Sequence, residues 1–258
     1  MDGIRLLTRA DDAGLNVTTN KAIRASVRQG IVRNVSFMAP APEITHAADT
    51  LGDLAKQVDF GLHLCLNAEW TNLRWGPVSS PDDVGSLLRD DGSFPSTPTE
   101  LADQSPVIEE MIKEAEAQLD FLAKLGIAVS YLDEHMAVGS TFDLHEPLEN
   151  FAKKNGLVYD RTLAGAGRIS NLPGWDGPGE HPGTELADHL ATVPAGTYRL
   201  VGHPAFKTGE MGELRLPGKP AGSQFFLRNR QRRMFADIEI VDYCENVGVD
   251  LLRYSQFA

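Results

Sequence analysis

Four polar clusters in this chain carry residue types that bind divalent cations and move protons: Asp11-Asp12, His63, Asp133-Glu134-His135 and His203. Each stands just downstream of a short apolar run that reads as a strand, namely 4–7, 58–62, 129–132 and 200–202. Helical patterns separate these runs, so the strands are expected to be parallel with their C-terminal ends on one rim, where residues distant in sequence converge. Carboxylates and imidazoles gathered in this way read as a divalent-metal hydrolase site. One carboxylate can bind the cation while an unliganded neighbour takes a proton from metal-activated water.

Taken singly, each cluster has an ordinary alternative. Aspartates after a strand serve as turn or cap residues, and His63 and His203 read equally as packed or rim histidines. Asp11 and Asp12 would point to opposite faces of an extended strand, so the chain must turn if both are to reach one site, and Gly14 supplies backbone freedom for that. Asp133 and His135 alternate along an extended segment and share a face. His135 is the stronger ligand, with Asp133 expected to orient it.

The frame that must position these residues reads as alternating strands and helices. Strands are expected at 4–7, 31–38, 58–66, 129–132, 157–160, 198–201 and 249–254, and helices at about 18–29, 43–56, 106–125, 146–155, 185–192 and 223–246. The clearest helix has Ile108, Met111, Ile112, Ala115, Leu119 and Leu122 at spacings of three and four. The expected fold class is α/β: a distorted (β/α) barrel of about seven units, forming a single catalytic domain over 1–258 with long rim loops at 67–104 and 162–184.

A chain of 258 residues with 42% hydrophobic content can bury one large core without disulfides. Cys65 and Cys244, its only cysteines, read as buried thiols. With 24 basic and 36 acidic residues the formal charge is −12, and no basic block is present, which argues against nucleic acid as a partner. Arg228, Arg230, Arg232 and Arg233 read as a solvated helix face. No run approaches the roughly 18 apolar residues of a membrane helix, and no basic start and apolar stretch marks the N-terminus, so a soluble cytoplasmic protein is expected.

The segments Ala10-Asp11-Asp12-Ala13-Gly14-Leu15, Gly61-Leu62-His63-Leu64, Leu132-Asp133-Glu134-His135-Met136 and His203-Pro204 occur in the order that resembles YdjC-like carbohydrate deacetylases. The stretch 21–38, Glu69-Trp70 and Arg74-Trp75-Gly76-Pro77 extend the resemblance over most of the chain, most weakly at 162–197. It implies a barrel related to the polysaccharide-deacetylase type and one divalent cation, zinc or magnesium, held by Asp12, His63 and His135. Asp11 is then the general base. His203 protonates the leaving amine or steadies the tetrahedral intermediate. The implied reaction is removal of N-acetyl groups from amino sugars such as chitooligosaccharides. Arg161 resembles an arginine of relatives and is expected to pair with Asp11.

Trp70, Trp75 and Tyr131 offer either sugar-stacking surfaces or buried packing. The chain departs from better-known members at Ala13, where phenylalanine is usual, and at Met136-Ala137-Val138, where a histidine-rich run is usual. These departures leave the sugar open. The ligand set alone also suits another metal-assisted barrel hydrolase, acting on a phosphoester or cyclic amide, or a non-catalytic metal-containing sugar-binding protein. A homodimer is the prior for the assembly.

Overall fold

The computed structural model describes residues 3–258; Met1 and Asp2 of the expected 1–258 domain lie outside them. Among the described residues eight parallel strands form one sheet: β1 (Ile4–Ala13), β2 (Asn34–Phe37), β3 (Asp59–Leu64), β4 (Val129–Glu134), β5 (Val158–Tyr159), β6 (Ser170–Asn171), β7 (Gly196–Gly202) and β8 (Asp250–Leu252). Pairing runs β5-β4-β3-β2-β1-β7-β6, and β8 pairs with β1 off this path. Along one edge of β1, β8 lies beside Arg5–Leu7 and β2 beside Arg9–Ala13, while β7 pairs along the other from Ile4 to Ala10. The sheet is a half-barrel, since β5 and β6 do not pair with each other.

Among the described residues eleven α-helices accompany the strands: α1 (Val17–Arg28), α2 (Ile44–Leu51), α3 (Pro98–Asp103), α4 (Ile108–Lys124), α5 (Val138–Phe142), α6 (His145–Lys154), α7 (Asp160–Gly165), α8 (Pro182–Leu190), α9 (Gly209–Glu213), α10 (Phe225–Ala236) and α11 (Ile238–Val247). Among the described residues, no helix is long and apolar enough to cross a membrane. The helix expected over 223–246 breaks at Asp237, whose extended backbone (φ −66°, ψ 143°) ends α10 and starts α11.

The first strand is longer than its apolar run, because the polar residues after Leu7 stay in the sheet. Leu6 to Ala13 are buried without interruption, so Arg9, Asp11 and Asp12 lie inside the fold. Such burial is tolerable only when the charges find partners.

The segment 67–104 is folded, with short turns of 3-10 helix at Pro81–Asp83 and Gly85–Leu87 followed by α3. It is tied to α4. There Glu114 is fully buried and accepts from the backbone N–H groups of Val78 and Ser79 at 2.9 Å each. Gln118, one turn on, accepts from Cys65 N at 3.2 Å and donates to Cys65 O at 2.7 Å. These two polar residues on the inward face of an amphipathic helix fix where the chain goes after β3, and hence where Glu69 and Trp70 stand. The 162–184 region likewise contains the end of α7, the two-residue β6 and the start of α8.

Candidate metal centre

The geometry begins with the last residues of β1. Asp12 has φ 67°, in the left-handed region that a non-glycine residue adopts at a cost, and Gly14 follows at φ 107°. The turn expected at Gly14 therefore starts at Asp12 itself, and the pairing register with β2 shifts between Ala10 and Ala13. A Cβ on Gly14 would meet the Met38 carbonyl oxygen at 3.2 Å, so that site is closed to larger residues. The consequence is chemical: the two carboxylates flank a single imidazole. Asp12, His63 and His135 offer donor atoms within 4.8 Å of one another, and so do Asp11, His63 and Asp133.

In the first group, Asp12 Oδ1 lies 3.6 Å from His63 Nε2 and 3.5 Å from His135 Nδ1, and the two nitrogens are 3.2 Å apart. A triangle with these edges suits one ion bonded to all three atoms at about 2.0–2.2 Å. The remaining nitrogen of each ring is held by a carboxylate. His63 Nδ1 donates to Asp133 Oδ2 at 2.8 Å, and His135 Nε2 donates to Glu69 Oε2 at 3.0 Å. Because carboxylates only accept, each ring carries its proton on the outer nitrogen and turns a lone pair inward. Asp12 Oδ1 is buried without a hydrogen-bond partner. A cation is a partner that this donor set fits.

Asp133 therefore orients His63, not His135 as the sequence suggested. Its Oδ2 meets the neighbouring strand, where His63 pairs with Asp133 in register. Glu69 does the job for His135. It stands in a loop with no strand alternation to reveal it, and its only sequence signal was the Glu69-Trp70 resemblance.

Asp11 is held by Arg9, two residues earlier on the same strand. Arg9 Nε donates to Asp11 Oδ1 at 2.7 Å and Nη2 to Oδ2 at 2.9 Å, a bidentate pair. The same guanidinium reaches Asp133 Oδ2 at 2.9 Å and donates to the Tyr254 hydroxyl at 3.0 Å. Burial alone would push the Asp11 carboxyl up, but Arg9, with His63 and His203 nearby, outweighs it and holds the group down at about 2. Burial works against Asp12 as well, and Arg228 and the histidines overcome it, leaving its carboxyl well below the usual range.

Arg161 does not pair with Asp11. It forms a fork with Glu134, at 2.9 Å from Nε to Oε1 and 2.9 Å from Nη2 to Oε2, and donates through Nη1 to Ser140 at 2.6 Å. Arg9 occupies the place expected for it. Trp75 is packed away, donating from Nε1 to Asn67 O at 3.0 Å, and Tyr131 is buried in the barrel, stacked on Tyr254 and bonded to Ser36. Neither is a sugar platform. Trp70 is buried but lines the cleft.

That cleft has a volume of about 550 Å³, and its walls include Asp12, His135, His203, Trp70, Leu227 and Arg228. His203 is half-buried there, its backbone N–H donating to Gln231 Oε1 at 3.0 Å. Burial lowers the pKa of its imidazole despite the pull of Asp12 and Asp11. After His135 the chain takes two left-handed residues, Met136 (φ 49°) and Ala137 (φ 52°), and Met136 is exposed in the cleft wall. Arg228 belongs to this site and not to a solvated helix face. It is buried, and its Nη2 is 2.7 Å from Asp12 Oδ2.

Residues 5–245 match the family model described as YdjC-like protein. Among similar proteins is a carbohydrate deacetylase of Thermoanaerobacter pseudethanolicus, 24% identical over 97% of this chain and 98% of that one. Another is a carbohydrate deacetylase of Oceanobacillus iheyensis, 22% identical over 94% of this chain and 100% of that one. A crystal structure of a putative cellobiose-phosphate cleavage protein from Enterococcus faecalis shares the fold over 100% of both chains, with a TM-score of 0.78 and 18% identity. The match from β1 into α11, taken with the converging rim residues, means that this chain belongs to the YdjC-like protein family.

Proposed function

We propose that the protein is a metal-dependent deacetylase that removes the acetyl group from N-acetylated amino sugars or chitooligosaccharides. The names of its relatives as carbohydrate deacetylases supply the reaction class. The observation that carries the reading is the placement of an ionised, unliganded carboxylate beside a ligand triad, with Asp11 and Asp12 on two sides of His63.

Asp12, His63 and His135 would hold one divalent ion. When bound, the ion supplies Lewis acidity toward the acyl oxygen and acidifies water. Asp11 is a weak base at a pKa of about 2, so it suits water that has already been made acidic. Arg9 fixes both of its oxygens while leaving each a free lone pair. The attacking water gives its proton to Asp11 as its oxygen bonds to the carbonyl carbon. The C–N bond then breaks, and the leaving nitrogen takes a proton from His203. Burial disfavours the imidazolium of His203, which makes the protonated ring a ready donor. The products are acetate and a free amino sugar.

The test is acetate release from a panel of N-acetylated mono- and oligosaccharides, with metal-reconstituted wild type, Asp11→Asn and a chelated control. Release by the wild type alone supports the reading. Release that survives in Asp11→Asn removes the base, and release that survives chelation removes the metal.

A further inference from the structure

We propose that Arg228 contacts the substrate directly, its Nη1 donating to the acyl oxygen of the bound amide while Nη2 holds Asp12. This deepens the deacetylase reading and rests on it. Three observations converge. Nη2 is 2.7 Å from Asp12 Oδ2, the oxygen opposite the one that faces the imidazoles. The guanidinium lies over the Trp70 ring, with Cζ 5.5 Å from its centroid, within reach of a cation–π contact. Nη1 is buried and has no hydrogen-bond partner, although Arg228 lines the cleft with His203 and His135.

A buried guanidinium N–H without an acceptor is costly, so the arrangement favours an incoming oxygen. The chain supplies Nη1 with no acceptor: Asp12 Oδ2 makes an ion pair with Nη2 at 2.7 Å but no hydrogen bond, and Gln231 Oε1 is taken by the backbone of His203. Nη1 and Nη2 belong to one rigid planar fork, so Nη1 lies close to the carboxylate whose other oxygen helps to form the ligand triangle. An acyl oxygen drawn to that triangle comes within the fork's reach. The donor would then stabilise the charge that develops on this oxygen during attack. Trp70 Nε1, a second buried donor without a partner, belongs to the same wall. Because much of the charge of Arg228 is matched by Asp12, a neutral amide suits the site.

The alternative is that Arg228 only steadies Asp12. Zinc-loaded wild type, Arg228→Lys and Arg228→Gln separate the two. Lysine keeps the charge but cannot serve two acceptors as a fork, and it is the variant to rely on if the glutamine protein does not fold. Three quantities are read: zinc affinity by chelator competition, affinity for acetate by calorimetry, and kcat and KM for acetate release from an N-acetylated chitooligosaccharide. The expected result is zinc affinity within about tenfold of wild type, kcat lower by about 10²–10³-fold with KM nearly unchanged, and acetate bound about tenfold more weakly.

A kcat close to wild type, or a loss of activity that follows loss of zinc in proportion, overturns the proposal. If wild type releases no acetate from any sugar, the deacetylase reading fails by itself. The acetate affinities then decide the Arg228 contact alone, weaker binding in the variants supporting it and equal binding overturning it.

Discussion

Arg9 and Asp11 lie two residues apart on one face of β1 and meet as a bidentate ion pair inside the half-barrel, with Asp133 sharing the same guanidinium. The pair is buried, so its two halves have different meanings. Arg9 compensates buried charge, and it also sets the direction of the Asp11 lone pairs.

Replacing Arg9 by methionine should therefore damage folding as well as activity. It leaves Asp11 and Asp133 buried without their cation, a loss of about 3–5 kcal/mol for a broken buried pair. Arg9→Lys keeps the charge and should retain more of the stability, yet lose most of kcat because the fork is gone. Denaturant unfolding beside steady-state kinetics checks both. Full activity in Arg9→Lys would mean that the orientation of Asp11 is set elsewhere.

The different fates of these residues explain what was readable in the chain. His63, His135 and the two aspartates could be found because each ends an apolar run, and strand ends in a parallel sheet share a rim. Arg9 was hidden by the same logic. A polar residue after Ile4–Leu7 reads as the end of the strand, whereas β1 continues to Ala13 because its charges are paired within the barrel. Arg228 was hidden among four arginines in six positions. Arg230 pairs with Glu180 and Arg233 with Asp237, while Arg228 is the one whose turn of α10 faces Asp12. β5 falls within the strand expected at 157–160, whereas β6, at two residues, is too short for any periodic signal. Glu69 depends on a loop whose path is set by Glu114 and Gln118 of a distant helix, a relationship that no local pattern records.

Glu69 offers the cleaner probe of the ligand set, since no arginine pairs with it and its removal leaves the Arg9 network intact. Glu69→Ala should free the outer nitrogen of His135 and weaken zinc binding by about 10–100-fold. Competition with a chromophoric chelator reads this directly. An unchanged affinity would argue that His135 does not bind the ion.

Gly61 tests how tightly the barrel interior supports the site. A Cβ there would lie 2.2 Å from the Tyr131 ring, which is stacked on Tyr254 at 4.0 Å between centroids and bonded to Ser36 at 2.8 Å. The ring has no room to retreat. Gly61→Ala should destabilise by about 1–3 kcal/mol through overpacking and disturb His63, two residues along β3. A denaturation midpoint equal to that of wild type would show that Tyr131 is free to move.

Metal removal should be visible without any substrate. Asp12 Oδ1 is buried without a hydrogen-bond partner, and an ion bound only by the folded state would stabilise the fold by mass action. At a thousandfold excess over Kd the gain is about 4 kcal/mol. For a chain of this size that corresponds to a rise in Tm of roughly 8–16 °C. Chelation should lower the Tm of wild type by this order, and zinc should restore it. Asp12→Asn should lose most of the response, because an amide keeps the shape of the ligand but not its charge. A wild-type Tm indifferent to both chelator and zinc would remove the triad from consideration as a metal site, however well its edges suit one.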